Sequence, residues 1–338
     1  MRPKEIPASS QLSPPDPVVH WARTQAGIPF LFPVQRLVIA GILDALASED
    51  PEPRGQIAVL PTGAGKSLCF QAPAALDGRP TLVLYPLLAL LQDQKRRFDE
   101  LGIPAAVVRG GQSSADRREI WDGVRAGRIR AVLSNPETMV QPGTLRTIAG
   151  LGFVHLVVDE SHCVCEWGKT FRPDYLRIPE IRRAAGIRVI SAFTATAGPQ
   201  VLTAIQEHLF PDCSPARLLG SPDRPNMGIT VLPVLQKDVA IRQMLSDPGR
   251  LHGRSDLPLW APGAALPRPA IVFCSSRAGC RELALRLYAD HPGKVRFYHA
   301  GLERSEKDRI EHWFFDSPDG ILVSTNAYGM AVVSYMFN

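Results

Sequence analysis

Leu60-Pro61-Thr62-Gly63-Ala64-Gly65-Lys66-Ser67 joins an apolar run, Ile57-Ala58-Val59-Leu60, to a segment opening Ser67-Leu68-Cys69-Phe70-Gln71. The run before it reads as a buried strand and the segment after it as the first turns of a helix. A strand passing through a glycine-bearing loop into a helix aims backbone N–H groups and the positive end of the helix dipole at one point. Gly63 and Gly65 permit the left-handed backbone that such an anion nest needs. The loop atoms of Thr62, Gly63, Ala64 and Gly65 can therefore cradle phosphates. Lys66 supplies a charge for the outer phosphates, and the Ser67 hydroxyl can ligate Mg²⁺. The strict phosphate-loop pattern asks for glycine where this chain has Leu60, so a plain turn with a capping serine is the competing reading.

Outward from this loop the chain alternates. Residues 1–17 are rich in Pro and Ser and read as a flexible N-terminal arm. From 18 to 215, strand candidates Ile57–Leu60, Thr81–Tyr85, Ala105–Val108, Ala131–Ser134, Leu156–Val158 and Val189–Phe193 are each followed by a polar or amphipathic stretch. That pattern predicts an α/β domain, a parallel sheet with helices on both faces. Residues 216–269 read as linker and insertion, Pro- and Gly-rich from Asp247 to Pro269. A second alternation fills 270–338: Ala270–Cys274, helical Arg277–Asp290, Val295–Tyr298, a helix from Glu303 to Phe315, and Ile321–Ser324.

Leu156-Val157-Val158-Asp159-Glu160 is a strand ending in two carboxylates. Ligands of an open α/β sheet sit beyond the carboxyl ends of its strands, which is also where the phosphate loop lies. Asp159 can then hold Mg²⁺, and Glu160 can orient and deprotonate an attacking water. An isolated Asp-Glu pair would read as a helix cap or solvated turn. The following segment, Ser161 to Tyr175, interleaves Trp167, Phe171 and Tyr175 with Lys169 and Arg172. Rings stack on unpaired bases and cations neutralise phosphates, although a packed loop with core aromatics has the same composition.

The chain has 338 residues, a formal net charge of +5, 45% hydrophobic and 21% charged residues. That is ordinary globular composition with room for two domains, and its charge suits a polyanionic partner without requiring one. No apolar run is long enough to cross a bilayer, and the first residues carry no secretion signal. The six cysteines lack zinc-site spacing, so a reduced thiol set in the cytoplasm is expected.

Asp159-Glu160-Ser161-His162-Cys163, with Trp167-Gly168 and Phe171-Arg172-Pro173-x-Tyr175, resembles motif II and the aromatic-rich loop of RecQ-family DNA helicases. Ser161 stands where that family usually has alanine. Other stretches resemble the family's motifs in its order. Phe32-Pro33-Val34-Gln35 resembles the adenine-recognition motif, with Phe32 where an arginine is common. Tyr85 to Leu90 with Asp93-Gln94 resembles motif Ia, Ser134-Asn135-Pro136-Glu137 motif Ib, and Thr194-Ala195-Thr196 motif III. Asp223-Arg224-Pro225-Asn226 resembles the start of the second motor domain, and Phe273 to Arg277 motif IV. Tyr298 to Leu302 and Ser324 to Met330 resemble the surroundings of motif V. Bland readings remain beside these. Gln35 could be a surface helix residue, His162 a satisfied buried histidine, and Thr194 and Thr196 caps for a helix starting near Pro199.

The resemblance implies two RecA-like lobes that bind ATP with Mg²⁺ and act on single-stranded and partly duplex DNA. It makes Gln35 an adenine contact, and Lys66, Asp159, Glu160 and His162 the catalytic set. His162 would couple the ATP site to Trp167, Phe171 and Arg172 on DNA, and movement would run 3′ to 5′. An RNA helicase of the DEAD-box type fits less well, because that group lacks the Trp167–Tyr175 loop. After Met330 the chain reads Ala331-Val332-Val333-Ser334 and ends at Asn338 without the family's motif VI. The expectation is an incomplete second lobe, with Ile310, Trp313 and Phe314 of its last helix poorly covered. The alternative function is then a weakly hydrolysing or non-hydrolysing ATP- and DNA-binding remnant.

Overall fold

The computed structural model describes residues 16–86, 91–166, 173–221, 231–246, 269–326 and 328. Readings placed on the N-terminal arm before Asp16, on Leu87 to Leu90, on Trp167, Phe171 and Arg172, on Asp223 to Asn226 and on the last ten residues lie outside them. The chain divides into two compact units, one through Asp223 and one from Arg224.

The first unit is built on seven strands: β1 (Arg54–Val59), β2 (Thr81–Leu84), β3 (Ala105–Val107), β4 (Ala131–Ser134), β5 (His155–Val158), β6 (Val189–Thr194) and β7 (Ala216–Leu219). They pair in the order β3-β4-β2-β5-β6-β1-β7, and every pairing is parallel. Parallel strands need crossovers, and each crossover lays a helix on one face of the sheet. Successive side chains of a strand then enter opposite cores. Ile57 and Val59 join one apolar cluster while Ala58 and Leu60 join the other.

Helices α1 (Pro17–Thr24), α2 (Pro33–Ala47), α3 (Lys66–Asp77) and α4 (Leu91–Glu100) cover one face. Asp16 caps α1 by accepting from the Val18 and Val19 N–H groups at 2.9 and 3.3 Å. The centre of this layer is aromatic: the fully buried Phe70 ring lies 5.2 Å from Phe193, edge to face, and 6.3 Å from Phe98, stacked. Each such ring contributes about 1.5–3 kcal/mol by burial. The other face carries α5 (Ser114–Arg125), α6 (Pro136–Met139), α7 (Pro142–Ile148), α8 (Cys163–Glu166), α9 (Ile178–Ala184) and α10 (Pro199–Leu209). A 3₁₀ turn, Pro173–Arg177, buries Tyr175 in the same layer.

Two elements fall within the 216–269 span read as linker and insertion. β7 extends the first sheet beside β1, and α11 (Lys237–Ser246) lies in the second unit. Neither carries a strong periodic signal. β7 is largely exposed and is held by backbone pairing, and α11 is only weakly amphipathic.

The second unit has a three-stranded parallel sheet, β8 (Ala270–Phe273), β9 (Val295–Tyr298) and β10 (Ile321–Ser324), in the order β8-β10-β9. Helices α12 (Arg277–Asp290) and α13 (Arg304–Asp316) connect them. The expected poor cover over α13 is corrected here. Ile310 and Phe314 are buried in a cluster with Tyr298, Leu302, Leu322 and Tyr328, and Trp313 packs against that cluster. Tyr328 closes it: its ring lies 5.0 Å from Tyr298 and 5.9 Å from Phe314. The guanidinium of Arg296 sits 5.0 Å over the Trp313 ring. Among the described residues no helix is long and apolar enough to cross a membrane. All six cysteines are free thiols.

Candidate nucleotide site

The phosphate loop leaves β1 at Leu60, whose N–H is bound to the Thr194 carbonyl of β6 at 3.0 Å. The Ala64 N–H turns back to the Pro61 carbonyl at 3.0 Å, and α3 begins at Lys66. Gly63 and Gly65 have φ of 84° and 69°, values that L side chains rarely adopt. At Gly65 the constraint is double. A Cβ there would stand 2.5 Å from the Gln35 amide nitrogen. The free N–H groups of the first α3 turn thus open onto the carboxyl edge of the sheet.

Gln35 is buried, not a surface residue. Its amide oxygen accepts from the Phe32 N–H at 2.9 Å, and its amide nitrogen donates to the Ala64 carbonyl at 2.9 Å. The side chain therefore ties the start of α2 to the phosphate loop. That bond was not legible in the sequence, because it joins positions 29 residues apart.

Asp159 and Glu160 follow β5, two strands from β1 in the same sheet. The Asp159 N–H is fastened to the Leu84 carbonyl of β2 at 2.9 Å, and the Ser161 N–H to the Phe193 carbonyl of β6 at 2.8 Å. Held on both sides, Glu160 takes φ of 48°, the one positive value at a non-glycine among the described residues. Backbone strain of this kind costs about 1–3 kcal/mol and persists where its surroundings over-determine it. Here it brings the Glu160 carboxylate to 4.0 Å from the Lys66 ammonium and 3.2 Å from His162 Nδ1.

The hydrogen bonds assign the His162 proton. The Thr194 hydroxyl donates to the Thr196 carbonyl at 3.0 Å, so its oxygen faces His162 as an acceptor. His162 Nδ1, 3.0 Å from that oxygen, is then the donor, shared with Glu160. Thr194 also accepts from the Thr196 N–H at 3.2 Å. The capping reading of these threonines is corrected: α10 begins at Pro199 with Gly198 at its cap position. Their place in the motif order was the signal that could have found the His162 contact.

Burial and the neighbouring Glu160 charge push the Asp159 carboxyl up to about 7. Burial raises Glu160 too, but the His162 hydrogen bond and the Lys66 charge outweigh it and leave the group below the ordinary carboxylate value. The Cys163 sulfur, at 3.9 Å from Nε2, and then the Glu160 carboxylate favour protonated His162 against burial, and its pKa rises to about 10. In the folded state His162 thus holds a proton that the unfolded chain releases near pH 6.5. Its stabilising contribution is full below that pH and is lost as pH rises through about 10. Urea unfolding of His162→Gln should show a shallower loss of stability between these limits than the parent. Equal slopes would contradict the assignment.

The arrangement sets an ionised carboxylate, an ammonium and an imidazolium before an anion-binding helix start. Ser161, between Glu160 and His162, is fully buried, and its hydroxyl has no hydrogen-bond partner among the described residues. Lys95 and Arg96 pair along α4 with Asp99 and Glu100 at 2.5 and 3.5 Å.

A strand–loop–helix phosphate site facing an Asp-Glu strand end on a parallel sheet defines a class of nucleotide-driven motors. The chain matches the DEAD/DEAH box helicase family over residues 32–205, and it belongs to that family. Its relatives are DNA helicases of RecQ type. It is 33% identical to the ATP-dependent DNA helicase hus2/rqh1 of Schizosaccharomyces pombe, over 81% of this chain and 20% of that protein. Identity to the probable ATP-dependent DNA helicase RecS of Bacillus subtilis is 30%, over 82% of this chain and 52% of that protein. Identity to the ATP-dependent DNA helicase RecQ of Pasteurella multocida is 28%, over 82% and 41%. The chain thus spans between a fifth and about half of these relatives. In fold it resembles the DUF1998 helicase MrfA bound to DNA, with a TM-score of 0.63, 16% identity, and coverage of 94% of this chain and 45% of that one. It also resembles the Mycobacterium smegmatis helicase Lhr bound to ssDNA and AMP-PNP, with a TM-score of 0.58, 16% identity, and coverage of 92% and 41%.

Proposed function

We propose that this chain hydrolyses ATP and couples the reaction to 3′–5′ movement on single-stranded DNA, opening duplex ahead of it. The observation that carries the reading is the convergence of Lys66, Glu160, His162 and Thr194 at one edge of the first sheet, within 3.0–4.0 Å of one another along the chain of contacts. The phosphates of ATP take the N–H groups of the loop from Gly63 to Ser67, that of Ala64 apart, with the Lys66 ammonium on the outer ones. Glu160 orients the attacking water and takes its proton. His162 holds the Glu160 carboxylate and, through its contact with Thr194, links the end of β5 to β6. Gln35 stands at the loop's edge, where adenine binding would meet its amide.

Mg²⁺ fits this donor set. Asp159 is a carboxyl that burial and then the neighbouring Glu160 charge raise toward neutral pH, so a cation beside it is favoured. Among the described residues no cluster of three His, Cys, Asp or Glu forms a closed metal cage. One carboxylate, the Ser67 hydroxyl and substrate phosphates are the usual ligands of this ion. When bound, it neutralises charge on the transferring phosphate.

Trp167, Phe171 and Arg172 are assigned to the DNA by sequence. Trp167→Ala should weaken binding of a single strand by about 1–3 kcal/mol, the worth of one stacked base, without changing the melting temperature. A mutant that binds as tightly but melts earlier would make Trp167 a core residue. Strand displacement tests the motor reading: ATP-dependent opening of a 3′-tailed but not a 5′-tailed duplex is expected. The reverse preference, or opening without ATP, would overturn it.

A further inference from the structure

Between α5 and α7 lies a cavity of about 510 Å³, apart from the nucleotide site. Arg117, Arg118 and Arg125 line it, with one acidic residue, Asp122. Asp122 pairs with Arg125 at 2.8 Å. Arg117 donates to the Arg109 carbonyl at 2.8 Å, and its buried Nε has no hydrogen-bond partner among the described residues. Arg118 has no hydrogen-bond or ion-pair partner among the described residues. Thr144, itself buried, also lines it. The other acids of this helix, Asp116 and Glu119, do not line the cavity.

We infer that this groove binds the phosphodiester backbone of the DNA strand beyond the nucleotide site; the inference rests on the reading of the chain as a DNA motor. Three features fit a nucleic-acid backbone. Guanidinium groups with hydroxyls are the donors that phosphate oxygens take in protein–DNA contacts. Arg118 and Arg125 lie seven residues apart on one helix, about 10 Å at ~1.5 Å per residue. A duplex strand advances ~3.4 Å along its axis per phosphate, so a strand lying along α5 carries more than one phosphate past this pair. The topology supplies the third feature. α5 begins after β3, so its N-terminal end meets the same sheet edge as the phosphate loop, and α7 follows the short α6 that leaves β4. β4 is four strand positions from β1, about 19 Å at ~4.8 Å per strand. α5 and α7 also share their face of the sheet with α8 and the Pro173–Arg177 turn, the elements that flank Trp167 to Arg172.

Arg118 is exposed and bonded to nothing described, so its replacement leaves the fold intact. Fluorescence anisotropy of the full chain with a 3′-tailed duplex, across a salt series, reads the effect. Arg118→Glu should weaken binding roughly tenfold, the size of one charge-assisted hydrogen bond. It should also lower the slope of log affinity against log salt by about 1. Arg118→Lys should restore most of both, and a fluorescent ATP analogue should bind parent and variants alike. Unchanged affinity and slope in Arg118→Glu, with the parent binding DNA, would overturn the groove assignment alone. No DNA binding by the parent would overturn the motor reading, and this inference with it. Competition by polyglutamate equal to that by DNA would mark a general anion site and overturn the nucleic-acid assignment.

Discussion

Glu160→Gln should slow ATP turnover about 10²–10⁴-fold, the contribution of a positioned general base, while ATP still binds. The substitution keeps shape and hydrogen-bonding reach but removes the charge that Lys66 and His162 face. With that charge gone, His162 loses one of the two groups that hold its proton. The variant should therefore show both slow turnover and a lowered imidazole pKa, and NMR titration of the ring reads the second effect. Fast turnover in Glu160→Gln would remove Glu160 from the chemistry. An unchanged imidazole would leave Cys163 as the group that sets it.

Lys66→Ala should act one step earlier, on binding. Lys66 is the first residue of α3 and the ammonium that meets Glu160 in this site. A charge-assisted hydrogen bond to phosphate contributes about 1.5–3 kcal/mol, so Mg-ATP affinity should fall about 10- to 150-fold. The fold should persist, because the apolar residues that build the two cores of the unit are untouched. Its removal also leaves Glu160 with His162 alone as a cationic partner. Calorimetry with ATP decides the matter: equal affinity in mutant and parent would move the phosphates elsewhere.

Much of this site was legible because its chemistry is local in the chain. Thr62 to Ser67 and Asp159 to His162 are short runs, and each follows an apolar strand whose burial the sequence announces. Parallel strands bury both faces, so Leu82–Leu84 and Leu156–Val158 read as continuous apolar runs. What stayed hidden depends on contacts between distant positions. The Gln35 bond to Ala64, the Thr194 bond to His162 and the left-handed backbone of Glu160 arise only when β1, β5 and β6 lie side by side. β7 was missed because Ala216-Arg217-Leu218-Leu219 is held by backbone bonds and buries little. The cover over Ile310 and Phe314 was missed because Tyr298 and Tyr328, far apart in sequence, close over that helix.

The central claim is that DNA and ATP act through one machine at the carboxyl edge of the first sheet. Steady-state ATP hydrolysis by the whole chain, with and without single-stranded DNA, tests it most directly. The account predicts turnover that rises on addition of DNA, falls back with rising salt, and disappears in Glu160→Gln in both conditions. Hydrolysis that DNA leaves unchanged, or that survives in Glu160→Gln, would contradict it.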